Sequence, residues 1–276
     1  DIIGTGPVAD FLDGAPQVMA PDPDRRSTTK HEWMSEFFTT SSSPVGHGFS
    51  NTNLTDNFAC YSFEPKSDMP IKIIVLDDTQ SEDKADPPWL GYLDKARYEW
   101  LVNELDQGQT ENKLMIIAAH VPLALIGFHG TTDSYITSTN LVAKLNSYPN
   151  LLLWIAGHRH RNVVTARKSS DVEHPELGFW EVETSSLKDF PQQFRMFEIV
   201  RNSDNTLSTF ITDVDPAVKD GSPAAISRSY AVATQQLFDN LIDMPPSGVY
   251  NAELVKQLSP AMQAALQDIG APIRKY

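Results

Sequence analysis

Cysteine is almost missing from this chain: Cys60 stands alone among 276 residues. A single thiol excludes an internal disulfide and a cysteine-built metal site, so any metal centre must come from histidine and carboxylate. Long hydrophobic runs are missing too. No stretch approaches the ~20 apolar residues of a membrane span, and no signal-peptide pattern is present. Positive charge is scarce, with 22 Lys and Arg against 36 Asp and Glu and a formal net charge of −14. That balance argues against nucleic acid as the main partner, because its binders carry basic patches. It also repels phosphate at long range, so a phosphate site here would need local cations. The chain starts at Asp1 rather than Met, and the expectation is that the natural N-terminus lies upstream.

What is present is an ordinary soluble composition, 41% hydrophobic and 21% charged. Residues 1–58 are turn-rich, marked by Pro21, Pro23, Pro44, Gly46 and Gly48, and read as an irregular insertion with one short helix over 30–39. From residue 59 the pattern tightens. Strands are expected over 59–63 and 71–76, antiparallel across a turn at 65–70. Leu93, Ala96, Trp100, Leu101 and Leu105 repeat at helical spacing, with Gly108 placed as a C-terminal cap. A strand ending at His120, a helix over 138–147 and a strand ending at Gly157 follow, which is an α/β order. Short strands over 163–166, 178–184, 194–200 and 207–214 have no helix between them, and 202–205 is a hairpin turn. Residues 215–276 read as a C-terminal helical extension, with helices near 224–241, 251–258 and 260–269.

Two strand ends carry the chemistry. The run Leu151 to Ala156 stops at Gly157 and presents His158 and His160 with Arg159 between them; the run Leu114 to Ala119 ends in His120. Histidine is the commonest metal ligand, and alternate residues in extended chain point the same way. Glycine at the strand end avoids a β-carbon that would crowd a metal or substrate. Arg159 would then point to the other side and be structural. An H-x-H pair is weak evidence by itself; two apolar strands that each deliver histidine at their C-terminal ends point to one shared site.

The His120-Val121-Pro122-Leu123 and Gly157-His158-Arg159-His160 elements resemble the last two motifs of the calcineurin-like metallophosphoesterases. Tyr61-Ser62-Phe63, the strand over 73–77 and the helix over 91–101 recur in that family in the same order, so the resemblance covers about residues 58–214. The long irregular stretches resemble a bacterial subgroup with large insertions between motifs. The resemblance implies an α/β (α+β) fold: the C-terminal half of a four-layer α/β/β/α sandwich with mixed sheets, followed by the helical extension. It divides the chain into an insertion at 1–58, the half-domain at 59–214 and the extension at 215–276. The family's earlier motifs, Asp-x-His, Gly-Asp-x-x-Asp and Gly-Asn-His, do not occur here. The chain is therefore a fragment, a cleaved product still associated with its other half, or a degenerate member.

The implied activity is hydrolysis of a phosphate mono- or diester by a metal-bridged hydroxide, with this chain supplying part of a dinuclear site. The alternative is a non-catalytic binding or scaffold module built on the same fold. By motif position His120 and His158 would hold one ion and His160 the other; no catalytic residue is assigned. Two ions of Mn, Fe or Zn are implied for the parent protein, and a weakly held single ion for this chain alone. His129 and His47, in loops, are candidates for substrate contact. Asp77 and Asp78 read as a strand-end turn with Thr79, and the segment 184–193 as a possible site rim. The implied partners are a small phosphate ester and the missing N-terminal half, with no nucleic acid and no transmembrane segment. Export to the periplasm or medium is implied by the resemblance alone.

Overall fold

A computed structural model describes residues 20–79, 90–127, 134–238 and 251–270. Six strands form one mixed sheet: β1 (Tyr61–Phe63), β2 (Ile71–Val75), β3 (Leu114–Ala118), β4 (Leu151–Ala156), β5 (Val163–Arg167) and β6 (Phe179–Glu183), in the order β1-β2-β3-β4-β6-β5. Strands β2, β3, β4 and β6 run parallel, while β1 and β5 close the two edges antiparallel. A second sheet of three antiparallel strands comprises β7 (Phe194–Arg201), β8 (Thr206–Val214) and β9 (Asn251–Gln257). The result is a mixed α/β fold.

The near-continuous apolar run of β4 follows from burial on both faces. Alternate residues point to opposite sides of a strand, and the two sides have different neighbours. Ile74, Met115, Ile117 and Trp154 face a core shared with Leu101 and Leu105 of α3 (Lys95–Thr110) and with Leu141 and Leu145 of α4 (Ser138–Leu145). Leu114, Ile116 and Leu153 face a second core with Leu207, Ile211 and Leu254 from the three-stranded sheet. The short helix α6 (Pro260–Ala265) adds Met262 to that core. Helices, large sheet and small sheet thus form successive layers around two apolar interiors.

Two expectations change. The segment 251–258 is strand β9, not helix, and its register runs from Thr206↔Gln257 to Thr212↔Asn251. Gly108 lies inside α3 rather than capping it; a β-carbon there would stand 2.5 Å from Met115 Sδ, so glycine permits close approach of helix to sheet. The helix instead ends at Glu111, followed by Asn112 in the left-handed region at φ 53°. The hairpin at 202–205 forms as expected, with Asn205 at φ 62° between β7 and β8.

Before the sheet, α1 (Lys30–Glu36) begins at a reciprocal cap: Thr29 accepts from the Glu32 amide and Glu32 accepts from the Thr29 amide. With α2 (Asn51–Asp56) it builds a small cluster of Met34, Phe49 and Ala59, flanked by Phe37, Phe38, Leu54 and Tyr61. Lys30 Nζ reaches Asp77 at 2.6 Å and ties α1 to the end of β2. The final segment contains α5 (Pro223–Phe238), whose Ser227 accepts from Gln192 Nε2 at 3.0 Å.

Candidate functional site

In open α/β sheets ligands bind beyond the carboxyl ends of the parallel strands, and here those ends carry Asp77 and Asp78 after β2, His120 after β3, and His158 to His160 after β4. Parallel pairing of β3 with β4 makes His120 and His158 neighbours, and the ladder continues past both strands. Ala119 N donates to Ile155 O at 2.9 Å and Gly157 N to His120 O at 3.0 Å.

His120 Nε2 and His158 Nδ1 stand 3.2 Å apart, with ring centroids at 5.1 Å and planes at 80°. Nitrogens bound to one cation at about 2.0–2.1 Å are about 2.9–3.4 Å apart for octahedral or tetrahedral angles, so the pair has the bite of a chelate. The same separation suits a direct imidazole–imidazole hydrogen bond. Burial, then the neighbouring His158 and His160, lowers the pKa of His120, which favours the neutral ring that ligates metals.

His160 does not join the pair. His158 and His160 have φ of 66° and 53°, so the segment is coiled through the left-handed region and the extended-chain argument for a shared direction fails. His160 Nδ1 is 2.5 Å from Asp189 Oδ2. Asp189 brings the segment 184–193 into contact with His160. Arg159 donates from Nε to Glu183 Oε2 at 2.8 Å, a pairing in which the carboxylate is buried at the end of β6. Among the described residues no group of three or more His, Cys, Asp or Glu side chains is arranged to hold a metal. The histidine pair fits one cation; a two-cation centre does not fit the described residues.

Gly157 faces open space. A β-carbon there would meet no protein atom within 4 Å. Gly157→Ala is thus expected to leave stability within about 0.5 kcal/mol of wild type. Urea unfolding checks this, and any accompanying loss of ligand affinity would report crowding of the ligand itself.

Asp78 is the residue the sequence undervalued. It is fully buried, and its Oδ1 and Oδ2 accept from the backbone amides of His120 at 3.1 Å and Val121 at 2.7 Å. It anchors the loop that carries His120. Burial pushes its carboxyl up to about 7, against the opposing effect of the Val121 and His120 amides. Asp77 does make the expected turn, accepting from Thr79 N at 3.1 Å. It also meets Lys30 at 2.6 Å and Arg97 at 3.5 Å. Burial raises its pKa, but the two cations outweigh burial and hold it below its ordinary value.

Of the two loop histidines, His129 lies outside the described residues. His47 packs edge-on to Phe37 at 5.7 Å, with Nε2 at 2.5 Å from Ser42 Oγ and 3.1 Å from Thr40 Oγ1. It lines a cavity of about 590 Å³ whose wall also includes Asp77, Asp78 and His120. His47 and His120 thus border one cavity, and His120 is also a member of the histidine pair.

No family model matches the chain, and no curated protein matches it in sequence. Among solved structures it is similar to a dimetal phosphatase from Danio rerio, at 14% identity and a TM-score of 0.38. The alignment covers 57% of this chain and 58% of that one, so the match spans somewhat over half of the phosphatase. No residue role passes from that protein to this chain. Among the described residues no helix is long and apolar enough to cross a membrane.

Proposed function

We propose that the C-terminal edge of the six-stranded sheet belongs to a metal-dependent phosphoesterase, to which this chain contributes His120 and His158 as ligands of one divalent cation. The observation that carries the reading is the 3.2 Å approach of the two ring nitrogens at the ends of adjacent parallel strands. A cation there supplies charge stabilisation to a phosphoryl oxygen. Asp78 fixes the His120 backbone, Glu183 holds Arg159, and Asp189 orients His160 at the rim. On this reading, completion of a two-cation site calls for ligands beyond the described residues, such as those of an associated N-terminal half.

The test is turnover of bis(p-nitrophenyl) phosphate with added Mn²⁺ or Zn²⁺. Cation-dependent hydrolysis that falls at least about a hundredfold in His120→Ala is expected. Unchanged hydrolysis in that variant sinks the assignment. A second reading, a non-catalytic binding module, is favoured by the lack of a third ligand among the described residues. Cation binding at the histidine pair with no turnover, even with the full parent protein, would select it.

A further inference from the structure

We propose that the cavity bordered by His120 is a subsite for a flat aromatic group, so that the ester taken by this protein carries an aryl or nucleobase moiety rather than a small aliphatic one. The identity of the ligand as an ester rests on the phosphoesterase reading; the aromatic preference rests on the cavity itself.

Its volume, about 590 Å³, falls inside the range of roughly 300–1,000 Å³ typical of small-molecule pockets. One wall is aromatic: Trp33, Phe37, Phe49 and Tyr61 all line it. They form a connected edge-to-face set, with Trp33–Phe37 at 4.8 Å, Phe37–Phe49 at 5.4 Å and Phe49–Tyr61 at 4.9 Å. Edge-to-face packing leaves ring faces partly uncovered, and a flat ligand can cover them by offset stacking. Trp33 remains 48% exposed while lining this concave wall. Phe49, next to it, is buried, so the set is anchored at one end and open at the other.

The wall is built rather than incidental. Gly48 sits at φ +114°, and a β-carbon there would lie 2.2 Å from the Tyr61 ring, so the loop can press against Tyr61 only as glycine. The Thr29–Glu32 cap fixes the start of α1, and Lys30 clips that helix to Asp77. The lining also has a polar part, with Asp77, Asp78, Thr79 and His120. Both carboxylates there are engaged, Asp77 by Lys30 and Arg97 and Asp78 by two backbone amides. Their charge is therefore offset where an anionic ester would otherwise be repelled by this acidic chain. His120 lines the cavity and also meets His158. A phosphoryl group attached to a ring in the cavity would have the histidine pair as its neighbour.

Calorimetric titration of the full chain, loaded with Zn²⁺, tests this with 1-naphthyl phosphate, 1-naphthol and glycerol 2-phosphate. The naphthyl ester is expected to bind at least about tenfold tighter than the glycerol ester, and Trp33→Ala to weaken it about fivefold or more. Trp33→Phe should retain most of the affinity, and Tyr135→Ala, an exposed aromatic outside the cavity, should change nothing. Equal binding of the two esters, no binding of either aromatic compound, or an unchanged affinity in folded Trp33→Ala overturns the inference. If Trp33→Ala does not fold, the ester comparison and Trp33→Phe decide it. Naphthol binding as tightly as its phosphate, Trp33-dependent and without hydrolysis of any ester even by the full parent protein, would uphold the aromatic subsite and reject the phosphoesterase reading.

Discussion

His158→Ala is expected to lower the affinity of the chain for Zn²⁺ or Co²⁺ at least about a hundredfold, whereas His160→Ala should change it by less than about threefold. The contrast follows from direction. His158 Nδ1 meets His120 Nε2 at 3.2 Å, while His160 Nδ1 is committed to Asp189 at 2.5 Å. Removing one arm of a two-nitrogen chelate leaves a single imidazole, and single imidazoles hold these ions weakly. Removing His160 leaves the chelate whole. Neither change empties the core, because both side chains lie partly exposed at the sheet edge; unfolding midpoints should stay close to wild type. The measurement is calorimetric titration of each variant, supported by the Co²⁺ absorption spectrum. Equal losses in the two variants would show that the 157–160 turn rearranges so that His160 ligates. No cation affinity in wild type would mean that the pair is a simple imidazole hydrogen bond, with His158→Ala then costing about 1 kcal/mol of stability.

The strand ends that make this site were legible in the sequence because burial on two faces leaves an unmistakable apolar run, as in Leu151 to Ala156. The intervening helix marked an α/β order, and in the fold the two strands pair parallel. The direction of His160 was not legible. A non-glycine residue adopts a left-handed φ only when its surroundings hold it there, and the partner here, Asp189, is 29 residues away. Strand β9 was misread for a related reason. Its inward positions are Ala252, Leu254 and Lys256, and the lysine breaks the apolar alternation that marks a strand. Lys256 is nonetheless buried, its ammonium donating to Glu176 O at 2.6 Å and also to Gly178 O, an arrangement formed only in the folded chain. Aspartate after a strand serves equally in a salt-bridged turn or as a buried anchor of a neighbouring loop. Asp77 and Asp78 take one role each, and only the fold tells them apart.

Asp78→Ala is therefore expected to damage both the fold and the site. The substitution leaves the amides of His120 and Val121 without their acceptor, and the Val121 bond is fully buried. Unsatisfied buried donors cost about 1–3 kcal/mol each, so a loss of about 2–4 kcal/mol near pH 5 is expected. Its pH dependence has a definite sign. Burial raises the Asp78 carboxyl from its ordinary 3.8 to about 7, so between those values the folded chain holds a proton that the unfolded chain has released. The contribution of Asp78 to stability is then full below about pH 4 and declines as pH rises through about 7. Wild type should lose this increment and the variant should not, so the cost of Asp78→Ala shrinks by at least about 1–2 kcal/mol from pH 5 to pH 8. Urea unfolding of both proteins at the two pH values measures it, and the difference between them cancels the other carboxylates. A cost that stays constant from pH 5 to 8 would mean that the two amides, not burial, govern the carboxyl and keep it ionised throughout. In either case cation affinity should fall although both imidazoles remain, because the loop that sets the 3.2 Å bite has lost its anchor. Unaltered affinity in the folded variant would place the anchoring of His120 in the β3–β4 ladder alone.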